Sequence, residues 1–559
     1  MSKQHGFKEE IRLLGFVWKM AHGQQSKIIV AFAAGIVSAL IPALVAFIIK
    51  NSIDSNFNDI SGLLDENELK AFVIIIVCGI ICSLVARLFN GLAMPAIKRN
   101  VDMEYIKRIS RMQYSYIADK TDNSAVMGIS VESDMIASLI PMVYHSFIKA
   151  PITIAAFVLV LMISSMKLTI VAVLLALMIA VGVFFCRNKV KNMTKESFDK
   201  MGDMHRLFNE LLTGYKIFVV SDALSYMKNK LLDMSRKVCL LKQKTTKLTV
   251  IQAFVIEILT VVITIVFIIV AKNNIVVNDS FSVSNMLLFP TAILYIRSEI
   301  LKVAYGYSQL SRTESATKRV MSVIMDDSVD DVEALEFEGK IESVTVENMT
   351  FSYIDGTTIV KDVSCKFEKS GINCIVGRSG EGKTTFINLC MGLRKPEKGH
   401  IFYNDYDIVE GENIDLYGRI ALIEQEPFVF EGSLYDNIFL GREGDEKKAL
   451  QLLKELQLSY LAETVNELKD TMIGGRYRKL STGEKQRLSV IRALVRDINV
   501  LFLDEATSNI DMNNTSILTG FIKNLANDKL VIAVSHDETF ISNAANVFVL
   551  DNGTLTKRN

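Results

Sequence analysis

Long apolar runs crowd the first half of the chain. Ile28 to Ile49 holds no charged residue, and a helix of that length can cross a bilayer core. Comparable runs follow at about 71–94, 143–165, 168–186, 248–271 and 281–302. Six membrane spans are therefore predicted, because a fully buried helix in a soluble domain accounts for one such run but not for six. The fourth run is the cleanest, and the sixth is amphiphilic and holds Pro290. Ahead of the first, Phe7, Ile11, Leu14 and Trp18 recur at helical spacing over residues 6–22, with Lys8, Glu9, Arg12 and Lys19 between them. That pattern predicts a helix lying in the membrane interface, although an ordinary surface helix would show it too. It does not read as a signal peptide, since the next apolar run is too long and lacks a small-residue cleavage site.

The polar stretches between the runs set an orientation. Residues 51–69 carry Asp54, Asp59, Asp65, Glu66 and Glu68 but no Lys or Arg. The stretches 98–134 and 187–247 hold Lys98, Arg99, Lys107, Arg108, Arg111, Arg187, Lys189, Lys191 and more. The positive-inside rule puts both of those stretches, and both termini, in the cytoplasm. Short outer connections remain near 165–168 and 272–280. The two basic stretches keep periodic apolar residues, so they are expected to be membrane helices that continue into the cytosol, turn and return. Turn candidates are 119–124 and 214–225. Acids then cluster at Asp326, Asp327, Asp330, Asp331, Glu333, Glu336 and Glu338, where a linker is expected over 321–337.

From about residue 338 the pattern changes to short β-branched runs separated by helices, as in an α/β domain. The composition agrees with this division. Half of the 559 residues are hydrophobic and mean hydropathy is positive, yet 22% are charged, so the apolar residues must be segregated. Lys+Arg and Asp+Glu balance at 62 each, and no field points to a nucleic-acid partner. The cysteines Cys78, Cys82, Cys186, Cys239, Cys365, Cys374 and Cys390 form no CxxC pair. A disulfide framework or zinc site is not expected from them, and a cytosol-facing location suits them better.

The chemistry centres on Gly377-Arg378-Ser379-Gly380-Glu381-Gly382-Lys383-Thr384. It fits G-x-x-x-x-G-K-[ST], in which glycines let backbone N–H groups turn inward as an anion nest. Lys383 supplies a charge to the outer phosphates, and the Thr384 hydroxyl can ligate magnesium. The flanks read as a strand, Ile372 to Val376, and a helix, Phe386 to Met391. Gln425 follows about forty residues later, and Leu480 to Arg487 opens another helix. Val500-Leu501-Phe502-Leu503-Asp504-Glu505 reads as a buried strand that delivers two acids at its end. Asp504 can hold magnesium and Glu505 can polarise an attacking water. Val531 to His536 is another buried strand, ending in a histidine.

In this order the motifs resemble the ABC transporter superfamily, specifically exporter-type half-transporters with six spans before one ATPase domain. The resemblance covers almost the whole chain. It implies an interfacial elbow helix over 1–24, an all-α six-helix transmembrane domain over 25–320 and an α/β P-loop ATPase domain over 338–559. It also implies ATP and Mg2+ as cofactors. By the same resemblance, Tyr353 should stack on adenine, and Gly377 to Thr385, with Ser379 and Thr385, should cradle the phosphates. Gln425 should sense magnesium, Ser481 and Gly483 should cap ATP across a dimer, and Asp511 should be the D-loop acid. Glu505 should be the catalytic base and His536 the switch histidine contacting the γ-phosphate.

Three departures stand out. The usual L-S-G-G-Q appears as Leu480-Ser481-Thr482-Gly483-Glu484. The commoner S-A-L-D appears as Ser508-Asn509-Ile510-Asp511. The usual T-x-V-G-E-x-G is Thr471-Met472-Ile473-Gly474-Gly475-Arg476-Tyr477. They leave open a heterodimer with a paralogous half-transporter, although the lysine, both carboxylates and the histidine suffice for a homodimer. The expected protein is a multi-pass ATP-driven exporter of a bacterial inner or cell membrane, acting on a small amphiphilic substrate, lipid-like or peptide. An importer of siderophore-transporter type shares the architecture, as would a regulated channel or a membrane-tethered ATPase. No peptidase domain is expected ahead of the spans. Arg87, Lys149, Glu257 and Arg297 lie within or at the edge of the spans. Charges there are costly, so they are candidates for a substrate cavity, or else anchors that snorkel or pair internally.

Overall fold

The computed structural model describes residues 12–55, 66–120, 129–277, 284–325, 335–337, 339–353, 356–410, 414–505 and 512–558. The chain divides into two compact units, Met1–Met112 with Lys120–Val329 and Gln113–Asp119 with Asp330–Asn559.

The first unit is helical. Residues 12–20 form a short helix whose Leu13, Phe16, Val17 and Met20 are buried against Ile97, Val101 and Val320. Leu14 and Trp18 stay exposed on the other side, the pair that an interfacial helix would offer to lipid. Phe7 and Ile11 lie outside the described residues.

Long rods follow: α1 (Gln25–Ser55), α2 (Glu66–Ile109), a segmented third rod ending in α3 (Ala150–Ser164), α4 (Met166–Thr213), α5 (Leu224–Val277) and α6 (Ser284–Ile324). The third expected span, at about 143–165, falls in this rod, which runs Ile129–Ala137, Leu139–Val143, a π-helical turn Tyr144–Lys149, and then α3. Pro151 explains the wide turn: it has no N–H to donate to Phe147, four residues back, and its ring crowds that carbonyl.

Among the described residues, Gln25–Asp54, Leu69–Ile109, Val131–Ser164 and Leu224–Ile269 are long and apolar enough to cross a membrane. The rod α6 falls short because Arg297, Glu299 and Lys302 interrupt it. Most side chains of the apolar stretch of α4 lie outside those described. On α2, Val73, Ile74, Val77, Ile80, Ile81 and Leu84 are all exposed, a surface that only lipid or another apolar partner would cover. The 48 residues of α4 and 54 of α5 span roughly 70–80 Å, against a bilayer core of about 30 Å. Both rods are thus more than twice as long as a bilayer core is thick. The return after α4 comes at Gly214, followed by the exposed helix Tyr215–Val220. The other turn candidate falls largely at 121–128, outside the described residues, just past the helix Tyr114–Lys120.

The second unit holds the strands β1 (Ser343–Ser352), β2 (Thr358–Glu368), β3 (Ile372–Val376), β4 (Lys398–Tyr403), β5 (Tyr406–Asp407), β6 (Ile420–Ile423), β7 (Val500–Asp504), β8 (Leu530–Val534), β9 (Asn546–Asp551) and β10 (Thr554–Arg558). An antiparallel sheet has the order β2-β1-β4-β5, and a mostly parallel six-stranded sheet has the order β10-β9-β3-β8-β7-β6. The inner strands are apolar almost throughout because both faces are covered. In β7, Leu501 and Leu503 join a cluster with Leu453, Leu488 and Ile491, while Phe502 turns to the opposite cluster with Phe367 and Phe386. Period-two alternation thus ties both layers to one strand.

Candidate active site

Parallel pairing brings the acids, the histidine and the phosphate loop to one edge. Asp504 of β7 is in register with Val534 of β8, and Val534 with Ile375 of β3. The residues that follow each strand therefore emerge side by side at the carboxyl ends, where open α/β sheets bind ligands.

The loop after β3 leads into α7 (Lys383–Cys390). Gly382 has φ of +89°, and a Cβ there would lie 2.1 Å from Ile359 Cγ2. At Gly377 a Cβ would meet the Leu550 carbonyl oxygen at 2.4 Å. Neither position admits a side chain, so the loop can present its amides only as glycine-bearing backbone. The Lys383 ammonium is buried and donates to the carbonyls of Gly377 and Arg378 at 2.9 and 2.8 Å. It therefore braces the loop at its mouth. Glu381, an acid in an anion-binding loop, has its carboxylate turned aside to accept the Asn552 amide at 2.9 Å.

At the end of β7 the Thr384 hydroxyl donates to the Asp504 carboxylate. Burial raises the Asp504 pKa above the ordinary value, with the charge of Glu505 adding to the rise and Thr384 and Lys383 opposing it. Burial likewise raises Glu424, with Asp504 as the next cause. Glu505 adopts a left-handed backbone, φ of +49°, rare for a non-glycine residue. Its amide donates to the Val534 carbonyl at 3.0 Å, and its Oε1 lies 3.4 Å from His536 Nε2. The acid and the histidine foreseen on separate strands are thus neighbours. Gln425 is exposed, and its carbonyl accepts from the Gln486 amide at 3.2 Å.

Tyr353 is fixed from three sides. Its hydroxyl and Thr385 Oγ1 share a hydrogen bond of 2.9 Å, the Arg394 guanidinium lies 5.0 Å over its ring, and Phe351 packs edge-on at 5.3 Å. The signature segment starts α8 (Thr482–Leu494): Ser481 and Glu484 cap it reciprocally, as an S-x-x-E box does. A Cβ on Gly483 would meet open space. Asp511 lies outside the described residues.

The charged candidates of the helical unit fall into two groups. Glu257 pairs with Arg297 at 3.2 Å, joining α5 to α6. Lys149, at the end of the π-helical turn, is within electrostatic reach of Arg87, Lys302 and Glu299. His145, Glu299 and Lys302 were not singled out from sequence. Glu299 and Lys302 pair at 2.6 Å one helical turn apart, a spacing the sequence does show.

Two family profiles match the chain: one described as ABC transporter transmembrane region at residues 28–299, and one described as ABC transporter at 360–508. The ATP-dependent lipid A-core flippase of Photobacterium profundum is 22% identical, covering 97% of this chain and 94% of that protein. The flippase of the same description from Haemophilus influenzae (strain 86-028NP) is 23% identical, over 97% and 93%. A solved structure, described as a bacterial Atm1-family ABC exporter with ATP bound, superposes with a TM-score of 0.79. It covers 96% of this chain and 95% of that one at 17% identity, a likeness of fold.

Proposed function

The chain belongs to the ABC transporter family, and on that premise we propose that it is an ATP-driven exporter moving an amphiphilic substrate, lipid-like or peptide, out of the cytoplasm or inner leaflet. The observation that carries this reading is the convergence of Lys383, Asp504 with Thr384, and Glu505 with His536 on one edge of the parallel sheet, in a chain whose other unit is built of apolar helices.

In the site, Lys383 and the loop amides bind the β- and γ-phosphates of ATP, and Tyr353 stacks on the adenine. Glu505 orients and deprotonates the attacking water, and His536 steadies that carboxylate and the γ-phosphate. Thr384, Asp504 and the Gln425 side chain offer oxygen donors, the set a hard divalent cation prefers, so they fit Mg2+. Bound there, the ion would neutralise charge on the phosphate oxygens. Ser481 and Gly483 cap the ATP held by a second copy of the chain, so two nucleotides close the dimer and hydrolysis reopens it. Asp511 is assigned to the D-loop of the same interface. The overshooting helices carry the change to the membrane as a two-state population shift. The chain sits in a bacterial inner or cell membrane with both termini in the cytoplasm. ATP-dependent accumulation of substrate inside inverted vesicles is the expected result. Uptake in the opposite sense would make it an importer, and ATPase without flux a tethered ATPase.

The cavity charges sharpen the substrate class. Arg87 and Lys149 supply positive charge to receive an anionic head group or a peptide carboxylate, while Lys302 and Arg297 are balanced by Glu299 and Glu257. In nanodiscs, Arg87→Ala is expected to reduce stimulation of ATPase by an anionic amphiphile by roughly fivefold, about 1 kcal/mol of lost ion contact, and Arg297→Ala by less, because Glu257 already balances its charge. If both variants keep normal stimulation and transport, the charges are membrane anchors.

A further inference from the structure

The signature of this chain ends in Glu484 where the family pattern has glutamine, which places a carboxylate in the first turn of the helix meant to receive a phosphate. An acid there is favourable to the helix itself but repels a nucleotide. The structure shows how that charge is handled. Glu484 Oε2 accepts the Ser481 amide at 2.5 Å. Glu484 Oε1 accepts the Tyr460 hydroxyl and lies 3.7 Å from an Arg478 guanidinium nitrogen. Arg478 also covers the Tyr460 ring, 5.1 Å from its centre. The Glu484 side chain is 15% exposed. Burial pushes its pKa up, but the Tyr460 hydroxyl, Ser481 and Arg478 outweigh this and hold it below the usual carboxylate value. The carboxylate is therefore ionised at neutral pH and fully engaged within its own subunit.

Arg487 is within electrostatic reach of Tyr460, while the next cation along the loop is committed elsewhere. Arg476 pairs with Glu431 at 3.0 Å. The pre-signature loop itself lacks the family's glutamate, having Gly475 in its place. Arg478, the residue that follows this loop, supplies the cation that faces the altered signature.

We infer that Arg478, with Tyr460, neutralises Glu484 and so keeps the N-terminus of α8 receptive to the terminal phosphate of ATP. Arg478 is a positioning residue, acting through Glu484 and not by touching the nucleotide. The inference rests on the proposed capping of ATP by Ser481 and Gly483.

The test measures ATPase against ATP concentration for the full-length protein in nanodiscs. Arg478→Ala is expected to raise KM for ATP about tenfold with kcat changed less than about twofold, since an uncompensated charge opposes binding more than chemistry. In a Glu484→Gln background the same Arg478→Ala change is expected to raise KM by less than about twofold, and Arg478→Lys should recover most of the loss in the original background. A purely structural role for Arg478 would persist when the acid is gone. An unchanged KM in Arg478→Ala, a loss confined to kcat, or an equal loss in both backgrounds would overturn the inference. Ser481→Arg tests the underlying reading separately: it should abolish ATPase whatever stands at position 478. If Ser481→Arg stays active, the capping role itself fails. If it is inactive while Arg478→Ala is normal, only the charge compensation fails.

Discussion

Glu505→Gln is expected to bind ATP as well as the unmodified protein while hydrolysing it roughly 10²–10⁴-fold more slowly, the range of a lost general base. The amide is nearly the same size as the carboxylate and can keep the 3.4 Å approach to His536, since its oxygen still accepts from Nε2. What it loses is basicity toward the attacking water. Its effect on Asp504 runs the other way. The charge of Glu505 helps to hold the Asp504 pKa up, so removing it favours the ionised form of Asp504 that a cation needs. Binding should therefore survive, and a nucleotide-trapped dimer should accumulate. Turnover and retained ATP, measured on the same preparation, check both halves of the expectation. Near-normal turnover would assign the base to another residue. The trapped form is also the one from which to identify co-purifying substrate by mass spectrometry.

Local chemistry was legible in the sequence wherever neighbours in the chain are neighbours in space. The strand Ile372–Val376, the glycine loop and the helix after it follow from a contiguous pattern. So do the apolar strand that presents Asp504 and the Ser481–Glu484 capping box. Contacts between distant segments were not legible. Thr385 and Arg394 fix Tyr353 from 32 and 41 positions away, and Asn552 turns Glu381 aside from 171 positions away. Each depends on sheet order, which no local pattern encodes. In the helical unit, helical spacing grouped Leu14 with Trp18 correctly, but only packing shows that Leu13, Phe16, Val17 and Met20 form the buried face. The break at Tyr144–Lys149 could have been read from Pro151, whose missing N–H falls inside a run otherwise apolar enough to pass as one span.

Lys383→Ala is expected to weaken ATP binding about 10²–10³-fold and to abolish hydrolysis at millimolar ATP. A unit positive charge about 4 Å from phosphate oxygens contributes on the order of 4 kcal/mol at an intermediate dielectric, and part of it is already spent on the loop. That part is visible: the ammonium is bound to the carbonyls of Gly377 and Arg378, so ATP must compete with or join these bonds. Removing the side chain also leaves two carbonyls without their donor, which costs the nucleotide-free fold roughly 1–3 kcal/mol. The two effects separate in a thermal melt. The nucleotide-free midpoint should fall by a few degrees, while the stabilisation that ATP gives the unmodified protein should vanish. Lys383→Arg should fail almost as completely, because the side chain is buried and a planar guanidinium cannot take the place of a compact ammonium between those two carbonyls. A variant that keeps the ATP-dependent shift would mean that the loop amides alone hold the phosphates, with Lys383 serving only to brace the loop.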